Sequence, residues 1–218
     1  MPAEPVSDVP GYQSVRLGDV PERARVWSHV ISYLDPWIDT NHAVLEIGAG
    51  PGDVIGQIDA VRRVAIDSDP TAGALHLDDV EGITADARDM PMLGDHSIGT
   101  VIASNVVEHL DADDAKTCIV ECARVLRPGG HLVIVQPNFR LCAKQYFDDY
   151  THRSVFTDTS LADLVTVSGF KVVRKEPRFL PLTVKSRLRH GHRLVPLYLA
   201  SPWRPLAGQM LVIGQRQP

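Results

Sequence analysis

The chain has 218 residues, 44% of them hydrophobic and 22% charged, with a formal net charge of −5. That length suits one globular domain, 1–218, with a sizeable core and argues against a second full domain. The start of the chain lacks the basic residues and apolar run of a leader, and no segment approaches the roughly 20 apolar residues of a membrane span, so a cytoplasmic protein without a transmembrane segment is expected.

Residues 1–18 read as irregular. Asp19 then precedes Pro21, a cap ahead of a proline suited to a first helical turn. Val26, Val30, Ile31 and Leu34 mark the apolar face of a helix that Pro36 ends, which makes 1–40 an N-terminal helical extension. Strands are expected near 42–47, 62–67, 83–86, 99–105 and 131–137, with helices near 52–60, 70–78 and 112–126. Cys118 and Cys122 lie four apart on the last helix, where packed thiols are the plainer reading. With Cys142 they form no ligand cluster and leave one over in any pairing, so no disulfide framework is expected. Asp158, Thr159 and Ser160 can cap a helix through Val167, stopped by Gly169. A sixth strand opens at 170–173 and the last lies at 209–213. This alternation predicts an α/β fold, a parallel sheet with helices on both faces.

The most informative stretch is 44–52, where an apolar strand meets Glu46 and breaks into Gly48, Gly50 and Gly52. Glycine admits φ > 0 and lets a ligand lie against the main chain, and a helix starting next would offer unpaired N–H groups. Asp67 closes the second strand and Asp86 the third. A dinucleotide brings a pyrophosphate, which three nearby carboxylates repel. S-adenosylmethionine brings a sulfonium, an ammonium and a ribose diol, all served by acceptors, so the acids favour it.

Four motifs stand in order: Glu46-x-Gly48-x-Gly50-x-Gly52, Asp67, Asp86-Ala87 and Ser104-Asn105-Val106-Val107-Glu108-His109-Leu110. Arg124-Val125-Leu126-Arg127-Pro128-Gly129-Gly130 then runs into the fifth strand. On these, over about residues 40–178, the chain resembles the class I S-adenosylmethionine-dependent methyltransferases of the small-molecule group. The resemblance implies a Rossmann-like seven-stranded, mostly parallel sheet in the order 3-2-1-4-5-7-6, its final strand antiparallel. It implies that Glu46 holds the cofactor's ammonium and that the backbone of Gly48, Ala49, Gly50 and Gly52 passes beneath its carboxylate and ribose. Asp67, supported by Ser68, would accept the ribose hydroxyls. Asp86 and the N–H of Ala87 would hold adenine, and Asn105 would border the cofactor.

Methyl transfer is an in-line displacement at a carbon activated by positive sulfur, so the protein has to align the acceptor and manage its proton. Nucleic-acid base methylation is disfavoured. Asn105-Val106-Val107-Glu108 lacks the proline-aromatic motif of adenine-modifying enzymes, and Thr117-Cys118 falls inside a predicted helix. An alcohol acceptor needs a base or a metal. His152 is the expected base, because neutral imidazole is poised near pH 7, with Asp149 as its orienter; a polar loop hydrogen bond is the plainer alternative. Quinone-biosynthesis O-methyltransferases similar to this chain hold Mg²⁺ or Zn²⁺ with Glu-x-x-Glu-His at the place of Glu108-His109. That resemblance implies a Mg²⁺ site of Glu108, His109 and Asp149. Asn105 at its first position departs from the pattern, and Glu-His-Leu also occurs in relatives that use no metal.

Residues 170–218 hold ten Lys or Arg and one Glu, against twelve and twenty-six Asp or Glu in the first 169. The basic insert 179–207, with Tyr198 and Trp203, is expected to act as a lid offering aromatic faces and cations. A solvated face, an oligomer contact or a membrane-surface contact are the alternatives. The acidic body would repel a long polyanion, so no nucleic-acid partner is expected. Phe147-Asp148-Asp149-x-Thr151-His152 and the stretch from Ser201 to Met210 are similar to methyltransferases of bacterial polysaccharide synthesis, the methylmannose polysaccharide 1-O-methyltransferases among them. This implies O-methylation of a small-molecule or oligosaccharide acceptor. A quinone or aromatic O-methyltransferase and a non-catalytic S-adenosylmethionine-binding protein are the rival readings.

Overall fold

A computed structural model describes residues 21–182 and 191–218. Its strands are β1 (Ala43–Ile47), β2 (Arg62–Asp67), β3 (Glu81–Thr84), β4 (Ile98–Ser104), β5 (Leu126–Pro137), β6 (Phe170–Glu176) and β7 (Gln209–Arg216). They form one sheet in the order β3-β2-β1-β4-β5-β7-β6. The pairs among β1 to β5 are parallel, and β7 runs antiparallel to both β5 and β6. Order and direction are those the sequence led us to expect. The chain reverses between β1 and β4, the place where open sheets of this kind bind ligands beyond their carboxyl ends.

Both faces of the sheet are covered. α2 (Ala112–Val125) buries Ala115, Cys118, Ile119, Cys122 and Val125, a helical stripe, against one face, where, after the single turn α3 (Phe139–Cys142), α4 (Asp158–Val167) adds Leu161 and Val165. α1 (Pro21–Leu34) buries Val26, Trp27, Val30 and Leu34 on the other. β7 shows the strand period, with Met210 and Val212 facing the first layer and Leu211 and Ile213 the second. Asp111 caps α2 by accepting the Asp114 N–H. Thr157, one residue before the expected caps, forms a reciprocal capping box with Ser160 on α4. All three cysteines are free and buried.

Two expected helices are absent. Residues 52–60 contain only the 3₁₀ turn Ile55–Gln57, and 70–78 only Gly73–His76. Val54, Ile55 and Ile58 are buried as helix spacing suggested. Gly52 and Gly56, β-branched neighbours and no side-chain cap leave the segment too costly to wind, so burial is achieved from a turn. β3 ends at Thr84, placing Asp86 two residues beyond it, and β5 starts at Leu126, before the expected 131. The cap expected at Asp19 and the basic residues 185–190 lie outside the described residues. No described helix is long and apolar enough to cross a membrane.

Candidate active site

The glycine loop after β1 is shaped by close approaches within the protein. At Gly48, φ is 59° and an added Cβ would lie 2.5 Å from Val106 Cγ2; at Gly52, φ is 86° and the Cβ would lie 2.8 Å from Leu77 Cδ1 and 3.1 Å from the Ala74 backbone. The loop is fastened to β2: the Gly50 N–H donates to Asp67 Oδ2 at 2.8 Å, while Asp67 Oδ1 accepts the Asp69 N–H at 2.9 Å. Burial raises the Asp67 carboxyl above its ordinary range even so. Glu46 is buried and accepts the Ile55 N–H at 2.9 Å; burial pushes it up to about 8, with Asp53 and Asp67 adding to the effect. Two acids held so far from water are primed for a cation.

Asp86 has a partner the sequence reading missed. Arg88 donates to it from its backbone N–H at 2.8 Å and from Nε at 2.9 Å, and reaches Asp114 at 2.5 Å. Burial alone would raise the Asp86 carboxyl, but Arg88 outweighs it and holds it below the usual range. Ala87 is half-buried against the core and Ser68 is half-buried beside Asp67. Asn105 turns out of β4 with φ 55°; its N–H donates to Val135 O at 2.8 Å and its Oδ1 accepts from Gln209 Nε2 at 3.3 Å. Glu46, the glycines, Asp67 and Asn105 thus gather at the carboxyl ends of β1, β2 and β4.

Directly beyond β4, the turn Val107–His109 packs Val107 into the core and buries Glu108. Glu108 is 0% exposed, and neither carboxyl oxygen has a hydrogen-bond partner among the described residues. Burial pushes it up to about 8, with Asp149 adding. Burial, and then His152, push His109 down to about 4 against the pull of Asp149, so its imidazole is neutral at pH 7. His152 meets the His109 ring edge-on, with centroids 5.0 Å apart, and lies tilted 4.5 Å from the ring of buried Tyr146. One ligand-type atom from each of Glu108, His109 and His152 lies within 4.8 Å of the others.

Asp149, expected above as the orienter of His152 and as a metal ligand, is tied by Oδ1 to Thr151. Its Oδ1 accepts from the Thr151 N–H at 3.1 Å and from Thr151 Oγ1 at 2.5 Å, and that hydroxyl lies 3.0 Å from His109 Nδ1. It thus reaches His109 through Thr151, a residue the sequence reading left without a role. Gln136 was also missed. It is 0% exposed with neither amide atom partnered among the described residues, and its signal was a polar side chain ending the apolar run 132–135.

Residues 45–134, which carry the loop, Asp67, Asp86 and the Asn105–His109 turn, match a family described as a methyltransferase domain. A probable S-adenosylmethionine-dependent methyltransferase of Mycobacterium tuberculosis is 39% identical over 105 residues, 45% of this chain and 37% of the relative. A malonyl-[acyl-carrier protein] O-methyltransferase of Methylococcus capsulatus is 29% identical over 160 residues, 63% of this chain and 54% of the relative. The chain therefore spans about half or less of the curated relatives it matches. A solved SAM dependent methyltransferase from Archaeoglobus fulgidus superposes with a TM-score of 0.69 at 18% identity, covering 94% of this chain and 98% of that one, a likeness of fold. Motif order, strand order and the methyltransferase domain matched over residues 45–134 together support a class I S-adenosylmethionine-dependent methyltransferase.

Proposed function

We propose that the protein transfers the methyl group of S-adenosylmethionine to a hydroxyl of a saccharide, or of another small polyhydroxylated acceptor, and that Glu108, His109 and His152 activate that hydroxyl. The observation that carries this reading is the cluster of one buried carboxyl group and two half-buried imidazoles directly beyond β4, beside the glycine loop. In the reaction the acceptor oxygen bonds to the methyl carbon, the carbon–sulfur bond breaks with its electron pair going to sulfur, and the hydroxyl proton leaves to the cluster. His152 is the side chain we assign to meet that proton, with Asp149 adding negative potential. On the cofactor side, Glu46 would take the ammonium, the Gly48–Gly52 backbone the carboxylate and ribose edge, and Asp67 with Ser68 the diol. Asp86, Ala87 and Asn105 would border adenine and the methionine.

The donor set also fits a divalent ion. Two imidazoles and a carboxylate suit a zinc-like first-row ion better than Mg²⁺, which prefers oxygen ligands. Glu108, His109 and His152 would hold it, with Asp149 and Thr151 behind them as outer-shell partners, and it would supply Lewis-acid polarisation of the hydroxyl. Buried unpartnered polar groups, Glu108 and Gln136, favour a polyhydroxylated acceptor over a plain aromatic ring.

The test is incubation with labelled S-adenosylmethionine and fractionated saccharides or phenols, with and without a chelator, followed by location of the methyl group. Product on sugars and not on phenols is expected; the reverse would reassign the acceptor to the aromatic class. His152→Ala should lower turnover by about 100-fold or more while S-adenosylhomocysteine binding persists. Full turnover in that variant would remove His152 from the chemistry.

A further inference from the structure

Residues 194–206 read Leu-Val-Pro-Leu-Tyr-Leu-Ala-Ser-Pro-Trp-Arg-Pro-Leu, with Arg204 as the one charged side chain. The short helix α5 (Val195–Ala200) is apolar on both sides. Val195, Tyr198 and buried Leu199 pack on the core layer that holds α1, while Leu194 and Leu197, three residues apart, are 55% and 71% exposed. A helix apolar all round is ordinarily buried all round. In the loop that follows, Trp203 is 83% and Leu206 89% exposed.

This exposure is built in rather than left by a loose end. Tyr198 donates to Pro205 O at 3.1 Å. Arg204 is turned inward: its guanidinium bonds Glu176, donates to Arg178 O at 3.0 Å and Leu199 O at 2.6 Å, and lies 5.5 Å from the Tyr33 ring centre. Arg204 and Leu206 hold φ of 32° and 59°, a conformation that costs a side-chain-bearing residue about 1 kcal/mol or more. The loop is thus fastened with its charge inside and its largest apolar groups outside.

Charge identifies what would cover the patch. Glu176 is the only acidic residue in 170–218, and it is buried under Tyr33, Arg174 and Arg204. The exposed charged side chains that the described part of this region presents are therefore cations, among them Lys175, Arg178 and Arg193. An apolar centre containing a tryptophan, in a stretch of chain whose exposed charged side chains are cations, complements anionic headgroups over acyl chains. We propose that Leu194, Leu197, Trp203 and Leu206, with Arg193 at their edge, dock the protein onto an anionic lipid surface. The inference is independent of the acceptor's identity.

The test is co-sedimentation of the full-length protein with vesicles of phosphatidylcholine alone and with phosphatidylglycerol added. Binding to the anionic vesicles should exceed that to the neutral ones by about tenfold or more and fall in high salt. Trp203→Ser and Leu206→Ser should each weaken it by about tenfold with S-adenosylhomocysteine affinity unchanged, while Val61→Ser, on an exposed apolar residue of β2's approach, should not. No binding to anionic vesicles, equal binding to neutral ones, or binding undiminished in both patch variants would overturn the proposal. Self-association that Trp203→Ser abolishes, without vesicle binding, would instead assign the patch to a second copy of this chain, and saturable binding of an acidic protein without vesicle binding would assign it to that class of partner.

Discussion

Thr151 Oγ1 lies 3.0 Å from His109 Nδ1. The hydroxyl has one proton, and the Asp149 oxygen 2.5 Å away is an acceptor only, so Thr151 donates to Asp149 and accepts from the His109 Nδ1–H. That places the lone pair of the neutral imidazole on Nε2. Asp149 therefore favours, through the threonine hydroxyl, the tautomer of a residue 40 positions earlier in the chain, and the Thr151 carbonyl 3.4 Å from the same nitrogen favours it too.

Thr151→Val keeps the shape and removes the relay. Turnover should fall by about 10- to 100-fold, the cost typical of losing an outer-shell partner, with S-adenosylhomocysteine affinity unchanged. Thr151→Ser should restore most of it. Nitrogen-15 NMR should find the His109 lone pair on Nε2 in the parent and a mixture of tautomers in Thr151→Val. A valine variant matching the parent in both rate and spectrum would show that the relay orders nothing.

Gly48→Ala tests the loop. The new Cβ sits at φ 59° and 2.5 Å from Val106 Cγ2, so strain and overlap add, and a loss of about 1–3 kcal/mol in urea unfolding is expected. Adding Val106→Ala should recover the overlap but not the backbone strain. Strict additivity of the two changes would mean that the contact is not what forbids a side chain there.

Arg204→Met should destabilise the fold as well as free the loop. It leaves Glu176, buried and hydrogen-bonded by Tyr33 and Arg174, without its innermost cation, and breaking a buried pair from one side costs about 3–5 kcal/mol at the upper end. Arg174 tempers that loss. A melting temperature unchanged by the substitution would mean that Arg204 is not holding the loop.

What was legible in the sequence follows from how each signal is made. Strands buried on both faces are continuous apolar runs, so β1, β4 and β5 announced themselves, and the glycines announced the loop because only glycine tolerates Val106 and Ala74 so near. The helices expected at 52–60 and 70–78 failed because apolar spacing is shared by a helix and by a buried turn. Residues that meet from distant segments left no trace in spacing. Arg88 with Asp114, Thr151 with His109 and Arg204 with Glu176 are each set by the sheet bringing loops together. The cluster of Glu108, His109 and His152 was half legible: the pair on one turn stood out and His152 was named as a base, but that it joins the pair became visible only when 152 folded back over 109.

Glu46 and Glu108 make the stability of the ligand-free protein depend on pH in an unusual direction. Both carboxyls are pushed up to about 8 by burial from an ordinary 4.5. Between those values the folded chain keeps protons that the unfolded chain has released, so stability is fully present below about pH 4.5 and is lost as pH rises through 8. The limiting slope is about 1.4 kcal/mol per pH unit for each group. Urea melts from pH 5 to 8 should therefore show stability falling, where paired carboxylates would make it rise. Glu46→Gln and Glu108→Gln each remove one titration and should each flatten the curve, the double variant most. Because a cofactor ammonium favours ionised Glu46, saturating S-adenosylmethionine should restore stability more at pH 8 than at pH 5, and Glu46→Gln should lose that difference. A parent curve that rises with pH, or a slope untouched by either variant, would place charged rather than neutral carboxyls in the folded site.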